Sequence, residues 1–109
     1  MTVVVGGHFR IRPADVEALR PAMETVLTAT RAEDGCIVYS YAEDVLDPGF
    51  IRVFEIWRDM AAIEAHNAAP HMVAWKEARA KFGVSERRII AYEVASQTEI
   101  LRRTVCYSL

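Results

Sequence analysis

CIVYSYAEDVLDPGFIRVFEIW, residues 36–57, decides how this chain of 109 residues folds. Its two arms, CIVYSYAED (36–44) and FIRVFEIW (50–57), are rich in β-branched and aromatic side chains, and Asp47-Pro48-Gly49 between them is turn chemistry. The segment therefore reads as a β-hairpin. Along its second arm Phe50, Phe54 and Ile56 fall on one side, and Ile51, Val53 and Trp57 on the other. A sheet with one wet face would alternate apolar and polar residues, whereas here both faces are apolar.

Working outward, TVVVGGHFRIR (2–12) reads as a strand ending at Pro13, a residue suited to the start of a helix. Val16, Leu19, Met23, Val26, Leu27 and Thr30 then recur at helical spacing, with Asp15 and Glu17 in the first turn, where the helix dipole favours acids. Pro21 lies off that stripe and is expected to kink the helix on its outer side rather than end it. The helix stops near Asp34-Gly35. Beyond the hairpin, Asp59 can cap a short helix running to about His66, and Pro70 opens another that carries His71, Trp75, Ala78 and Phe82 on one face. Gly83 ends it, and ERRIIAYEVAS (86–96) is a fourth strand.

Strand, helix, strand, strand, helices, strand is an α+β order, a split β-α-β arrangement with a four-stranded antiparallel sheet and helices on one face. The last strand repeats the two-faced pattern: Ile90, Tyr92 and Val94 on one side, Ile89, Ala91 and Ala95 on the other. Helices cover only one face, so the second calls for another copy of the same sheet, and a homodimer is expected. Residues 1–96 form the domain. The tail, 97–109, carries Ile100, Leu101, Val105 and Tyr107 and is expected to lie across the partner subunit or close the mouth of the barrel.

Composition narrows the function classes. The chain is 52% hydrophobic and 26% charged, which excludes disorder. Formal net charge is −2 and the basic residues are scattered, so nucleic acid is not an expected partner. The N-terminal apolar run lacks a basic leader and is too short for a signal-peptide core, and no later window reaches the length of a membrane span. Cys36 and Cys106 are too few and too far apart for a disulfide framework or a metal knuckle. A cytoplasmic protein with reduced thiols is the simplest expectation.

The chemistry gathers around HNAAPHMVAW, residues 66–75. His66 follows Ala62 and Ile63 on the inward stripe of its helix and sits at the C-terminal end, where the dipole favours imidazolium. His71 lies just after Pro70, where the dipole disfavours that charge, so the pair could act as proton donor and proton acceptor. Each could equally cap or pack the junction. Two histidines flanking a helix break, with no third ligand nearby in sequence, do not make a zinc signature, and no metal is expected.

Glu55 interrupts the apolar face of Ile51, Val53 and Trp57, so it must be paired, protonated or turned into a polar cavity. Tyr39 and Tyr41 share a face of the neighbouring strand and could bind a phenolic or quinoid oxygen. If the hairpin brings these faces together, Tyr39, Tyr41, Glu55 and Trp57 line one pocket beneath the histidines. Trp57 and Trp75 occupy spacings that usually build core, although either could also wall an aromatic ligand. His8 has room beside Gly6 and Gly7 to approach a ligand, or it marks a strand bulge. Arg52 falls on the opposite face, with Phe50 and Phe54.

The run of residues 34–78 resembles the antibiotic biosynthesis monooxygenase family, which includes the quinol monooxygenases. The resemblance rests on Gly35-Cys36 with Tyr39, on Glu55-x-Trp57, and on His66…Pro70-His71. It implies a ferredoxin-like fold, a dimeric α+β barrel, and often an oxygenase that uses molecular oxygen without metal, flavin or haem. The family also holds haem-degrading members and a quorum-signal-processing isomerase. The haem-degrading branch places an Asn on the first strand and a Trp and a His on the later helices. Here His8, His66 and Lys76 stand in the corresponding places, which argues against haem.

The leading expectation is a cofactor-independent monooxygenase acting on a quinol or anthrone-like aromatic, with His66, His71, Tyr39 and Glu55 catalytic and Tyr41, Trp57, Trp75 and His8 binding substrate. An isomerase or tautomerase using the same acid and base is the first alternative. A non-catalytic dimeric ligand-binding protein is the second.

Overall fold

The computed structural model describes residues 1–103. Its elements are β1 (Val3–Arg10), a short 3-10 turn (Pro13–Asp15), α1 (Val16–Arg31), β2 (Cys36–Glu43), β3 (Phe50–Trp57), α2 (Met60–Asn67), α3 (Pro70–Lys81) and β4 (Ser85–Glu93). The four strands form one antiparallel sheet in the order β2-β3-β1-β4. This is the ferredoxin-like α+β fold anticipated from the pattern of elements. Strand β4 is shorter than the apolar pattern suggests: after Glu93 the chain keeps only the Val94 N–H, which donates to the Thr2 carbonyl at 2.9 Å.

Helix α1 passes through Pro21, which is exposed, while Leu19, Met23, Val26 and Thr30 point into the core. A proline on the wet side costs the helix one hydrogen bond without disturbing the buried stripe. Strand β2 is held to this helix by Arg31, whose Nε donates to the Tyr39 carbonyl at 2.8 Å. Helix α2 begins where Asp59 accepts the Ala62 N–H at 2.9 Å, a cap of about 1 kcal/mol. Pro70 opens α3, which buries Trp75.

The turn between α1 and β2 requires glycine. Gly35 has φ +85°, a left-handed conformation, and a Cβ there would lie 2.7 Å from that of Ala62. Its carbonyl accepts the Arg58 N–H at 2.8 Å, which ties the end of α1 to the start of α2.

Register fixes what faces the helices. Tyr39 lies opposite Glu55, Glu55 opposite Val5, and Val5 opposite Ala91, so these four form one row across the sheet. The adjacent helix-side row is Tyr41, Val53, Gly7 and Ile89. Val3, Val5, Phe9, Ile51, Val53 and Trp57 are buried on this side. On the other side Phe54 is 47% and Tyr92 55% exposed, so the second apolar face is uncovered in a single chain. Ile100 and Leu101 are exposed as well, and Val105 and Tyr107 lie outside the described residues. Among the described residues, no helix is long and apolar enough to cross a membrane.

Candidate active site

Between the helix face of the sheet and α2 and α3 lies a cavity of about 350 Å³, room for one ring system. Tyr39, Tyr41 and Glu55 contribute from the sheet, and His66, Met72 and Trp75 from the helices. The hairpin register brings the sheet residues together. The strand period puts Tyr39 and Tyr41 on one side, and the pairing across the hairpin sets Glu55 beside Tyr39.

His66 is 3% exposed and packs against the rings of Trp57 and Tyr39, with centroid separations of 4.9 Å and 5.3 Å. Its Nδ1 lies 2.6 Å from Oε2 of Glu33, and Nε2 of His71 reaches the same oxygen at 3.2 Å. A carboxylate only accepts hydrogen bonds, so both ring nitrogens must donate to it. With Nδ1 engaged, Nε2 of His66 is the ring nitrogen left for another partner. His71 stands behind this contact rather than in the cavity wall, linked to His66 through Glu33.

Glu55 is 7% exposed and, among the described residues, has no cation in contact; its Oε1 accepts the indole N–H of Trp57 at 2.8 Å. Burial pushes its carboxyl above the usual carboxylate range, although the Trp57 hydrogen bond and the charge of Arg87 pull the other way. Tyr39 and Tyr41 share a hydrogen bond of 2.9 Å between their hydroxyls. Burial raises both phenols, Tyr41 to about 12 and Tyr39 further, so each keeps its proton at neutral pH.

Of the residues expected at the site, Tyr39, Tyr41, Glu55, His66 and Trp75 come together around one cavity. Trp57 does not line it: fully buried, it supports Glu55 from the core. His8 is separated from the others, because its strand parity turns it to the opposite face of the sheet. There its ring lies 4.8 Å from that of Phe50. The pairing of β1 with β4 shifts register between His8 and Arg10, the bulge that was the other reading of this position.

Glu33 is the residue that sequence reasoning missed. One signal was available: an acid just past the C-terminal end of α1, where the helix dipole repels negative charge, needs a partner elsewhere. With it, Glu33, His66 and His71 offer three possible metal ligands within 4.8 Å of one another. The sequence supplied only two. At 2.6 Å, however, Glu33 and His66 are at hydrogen-bond distance, closer than two ligands of one cation with bonds of about 2.0–2.2 Å ordinarily stand. As they are placed, these groups share protons.

Known proteins match this chain over most of its length. A profile of the antibiotic biosynthesis monooxygenase family matches residues 2–78. Rv0793 of Mycobacterium tuberculosis, provisionally named a monooxygenase, is 36% identical over 92 residues, covering 84% of this chain and 87% of that protein. An uncharacterized Synechocystis protein, sll1783, is 29% identical over 85% of this chain, which spans 63% of that protein's length. A Deinococcus radiodurans crystal structure, provisionally described as an antibiotic biosynthesis monooxygenase, superposes with a TM-score of 0.85 at 29% identity and covers 92% of this chain and 99% of its own. The structure of Rv0793 superposes with a TM-score of 0.68 at 32% identity, covering 93% of this chain and 100% of its own.

Proposed function

The chain belongs to the antibiotic biosynthesis monooxygenase family, and from that premise we propose that it is a cofactor-independent monooxygenase acting on a hydroxylated aromatic, a quinol or an anthrone-like compound. The observation that carries this reading is the contact between His66 and Glu33 at the wall of an aromatic-lined cavity.

Nε2 of His66 serves as the base and takes a proton from the substrate, and Glu33 stabilises the imidazolium that results. The substrate anion is a much better one-electron donor to molecular oxygen than the neutral compound. Electron transfer and radical recombination form a carbon–oxygen bond. For an anthrone-like methylene, collapse of the peroxide leaves a carbonyl and releases water, with every electron drawn from the substrate. The Tyr39 and Tyr41 hydroxyls are donors for the developing oxyanion, and the cavity keeps bulk water from the intermediates. The protein works as a homodimer through the exposed face of Phe54 and Tyr92, in a reducing compartment.

Oxygen uptake against a panel of quinols and anthrones tests this, with His66→Ala as the control. Conversion that runs unchanged without oxygen would replace the monooxygenase with an isomerase using the same histidine. Tight binding without product, altered only in affinity by His66→Ala, would make the protein a ligand carrier.

A further inference from the structure

We infer that the cavity takes an aromatic substrate bearing a carboxylate, held by Arg79 and Arg87 at the end of the cavity nearest α3 and β4. The inference deepens the proposed function by naming a substrate class for the same site.

Lys76 and Arg79 lie one turn apart on α3, and Arg87 lies on the helix side of β4. Together they line a second hollow of about 400 Å³, which shares Asn67, Met72 and Arg87 with the first. The two hollows therefore adjoin, one walled by rings and the other by cations. Among the described residues, none of the three cations is in ion-pair contact with a carboxylate.

Arg79 is the most informative of them. Its Nε is buried without a hydrogen-bond acceptor, and its guanidinium carbon sits 5.9 Å from the centre of the Trp75 ring, which holds it beside the aromatic cavity. A buried, unpartnered donor on a charged group is costly. Desolvation and the neighbouring positive charge of Arg87 both weaken Arg79's hold on its proton. The two acids at the first cavity are engaged elsewhere, Glu33 with two histidines and Glu55 with Trp57. An incoming carboxylate would satisfy the orphaned donor and offset the repulsion in one step. Guanidinium groups suit it better than ammonium, because their paired N–H donors match the two carboxylate oxygens.

The test is calorimetric binding of two ligands that differ only in charge, a hydroquinone carboxylate and its methyl ester, to the wild-type protein and to Arg79→Gln and Arg87→Gln. The wild type is expected to bind the carboxylate at least about tenfold more tightly, with the preference shrinking as salt is added. Each variant should lose that preference while binding the ester as the wild type does. Arg87 is exposed, so its variant keeps the test decisive if Arg79→Gln folds poorly. Equal binding of the two ligands by the wild type would overturn the inference, as would a preference that survives in Arg87→Gln. Because binding is read under anaerobic conditions, without turnover, a wild-type preference that both variants lose, with no oxygen uptake from either compound, would sink the monooxygenase reading alone. Oxygen uptake from the ester with no charge preference would sink the carboxylate site alone.

Discussion

Oε2 of Glu33 is shared by two histidines, 2.6 Å from Nδ1 of His66 and 3.2 Å from Nε2 of His71, although they stand 33 and 38 residues further along the chain. One carboxylate thereby engages two imidazoles, one of them buried in the cavity wall.

Removing the imidazole should abolish the proposed chemistry while sparing the fold. His66→Gln is expected to lower kcat by about 100-fold or more, the usual size of a lost general base. Glu33→Gln, which keeps the shape but not the charge, should lower kcat less and leave KM in place. Steady-state oxygen consumption read beside thermal unfolding checks both. A wild-type kcat in His66→Gln would remove this residue from the mechanism.

Glu55 makes a pH signature in stability. Its folded-state carboxyl lies above the value of 4.5 for the free side chain, with burial as the main cause. Its stabilising contribution is therefore full below that pH and is lost as pH rises through the folded value. A glutamine side chain at this position would still accept the Trp57 N–H and cannot ionise. Glu55→Gln is thus expected to match the wild type near pH 4 and to exceed it in Tm at pH 8. Melting curves across that range decide it, and parallel curves would mean that Glu55 is charged in the fold.

The open sheet face bears on assembly. Sedimentation at micromolar concentration is expected to give twice the 12.3 kDa of one chain. Phe54→Glu places a charge in the middle of that face and should yield monomers that retain their helical content. A wild type that sediments as a single chain would dispose of the dimer.

Chelation separates proton chemistry from metal chemistry at the same three residues. Oxygen uptake by the purified protein is expected to survive prolonged EDTA treatment unchanged. Loss of activity restored by one divalent cation would turn Glu33, His66 and His71 into ligands.

The fold was legible because its determinants are local and periodic. The hairpin turn at Asp47-Pro48-Gly49, the stripe from Val16 to Thr30 and the Asp59 cap each act within a few residues. Parity along β2 and β3 put Tyr39 and Tyr41 on one side and Glu55 on one side, the hairpin register that joins them is read only from the structure, and the inward stripe of α2 placed His66. Parity also separates Arg87 from Arg88, an adjacent pair that reads in sequence as one solvated doublet. What the sequence withheld depends on tertiary approach. Glu33 meets its histidines only because the Gly35 turn is locked against α2, and Arg79 and Arg87 become neighbours only when α3 lies over the sheet. His8 stays apart from the cavity because its strand position puts it on the other face, whatever space Gly6 and Gly7 leave beside it.

The hydroxyl pair of Tyr39 and Tyr41 has a last consequence. Either oxygen can donate across the 2.9 Å gap, so the pair always points one hydrogen at its partner and retains a second for whatever enters. Reversing the bond requires two O–H rotations and no displacement of a ring. A phenol arriving as both giver and taker of hydrogen bonds, and a quinone leaving as a taker only, can be accommodated in turn by the same unmoved walls.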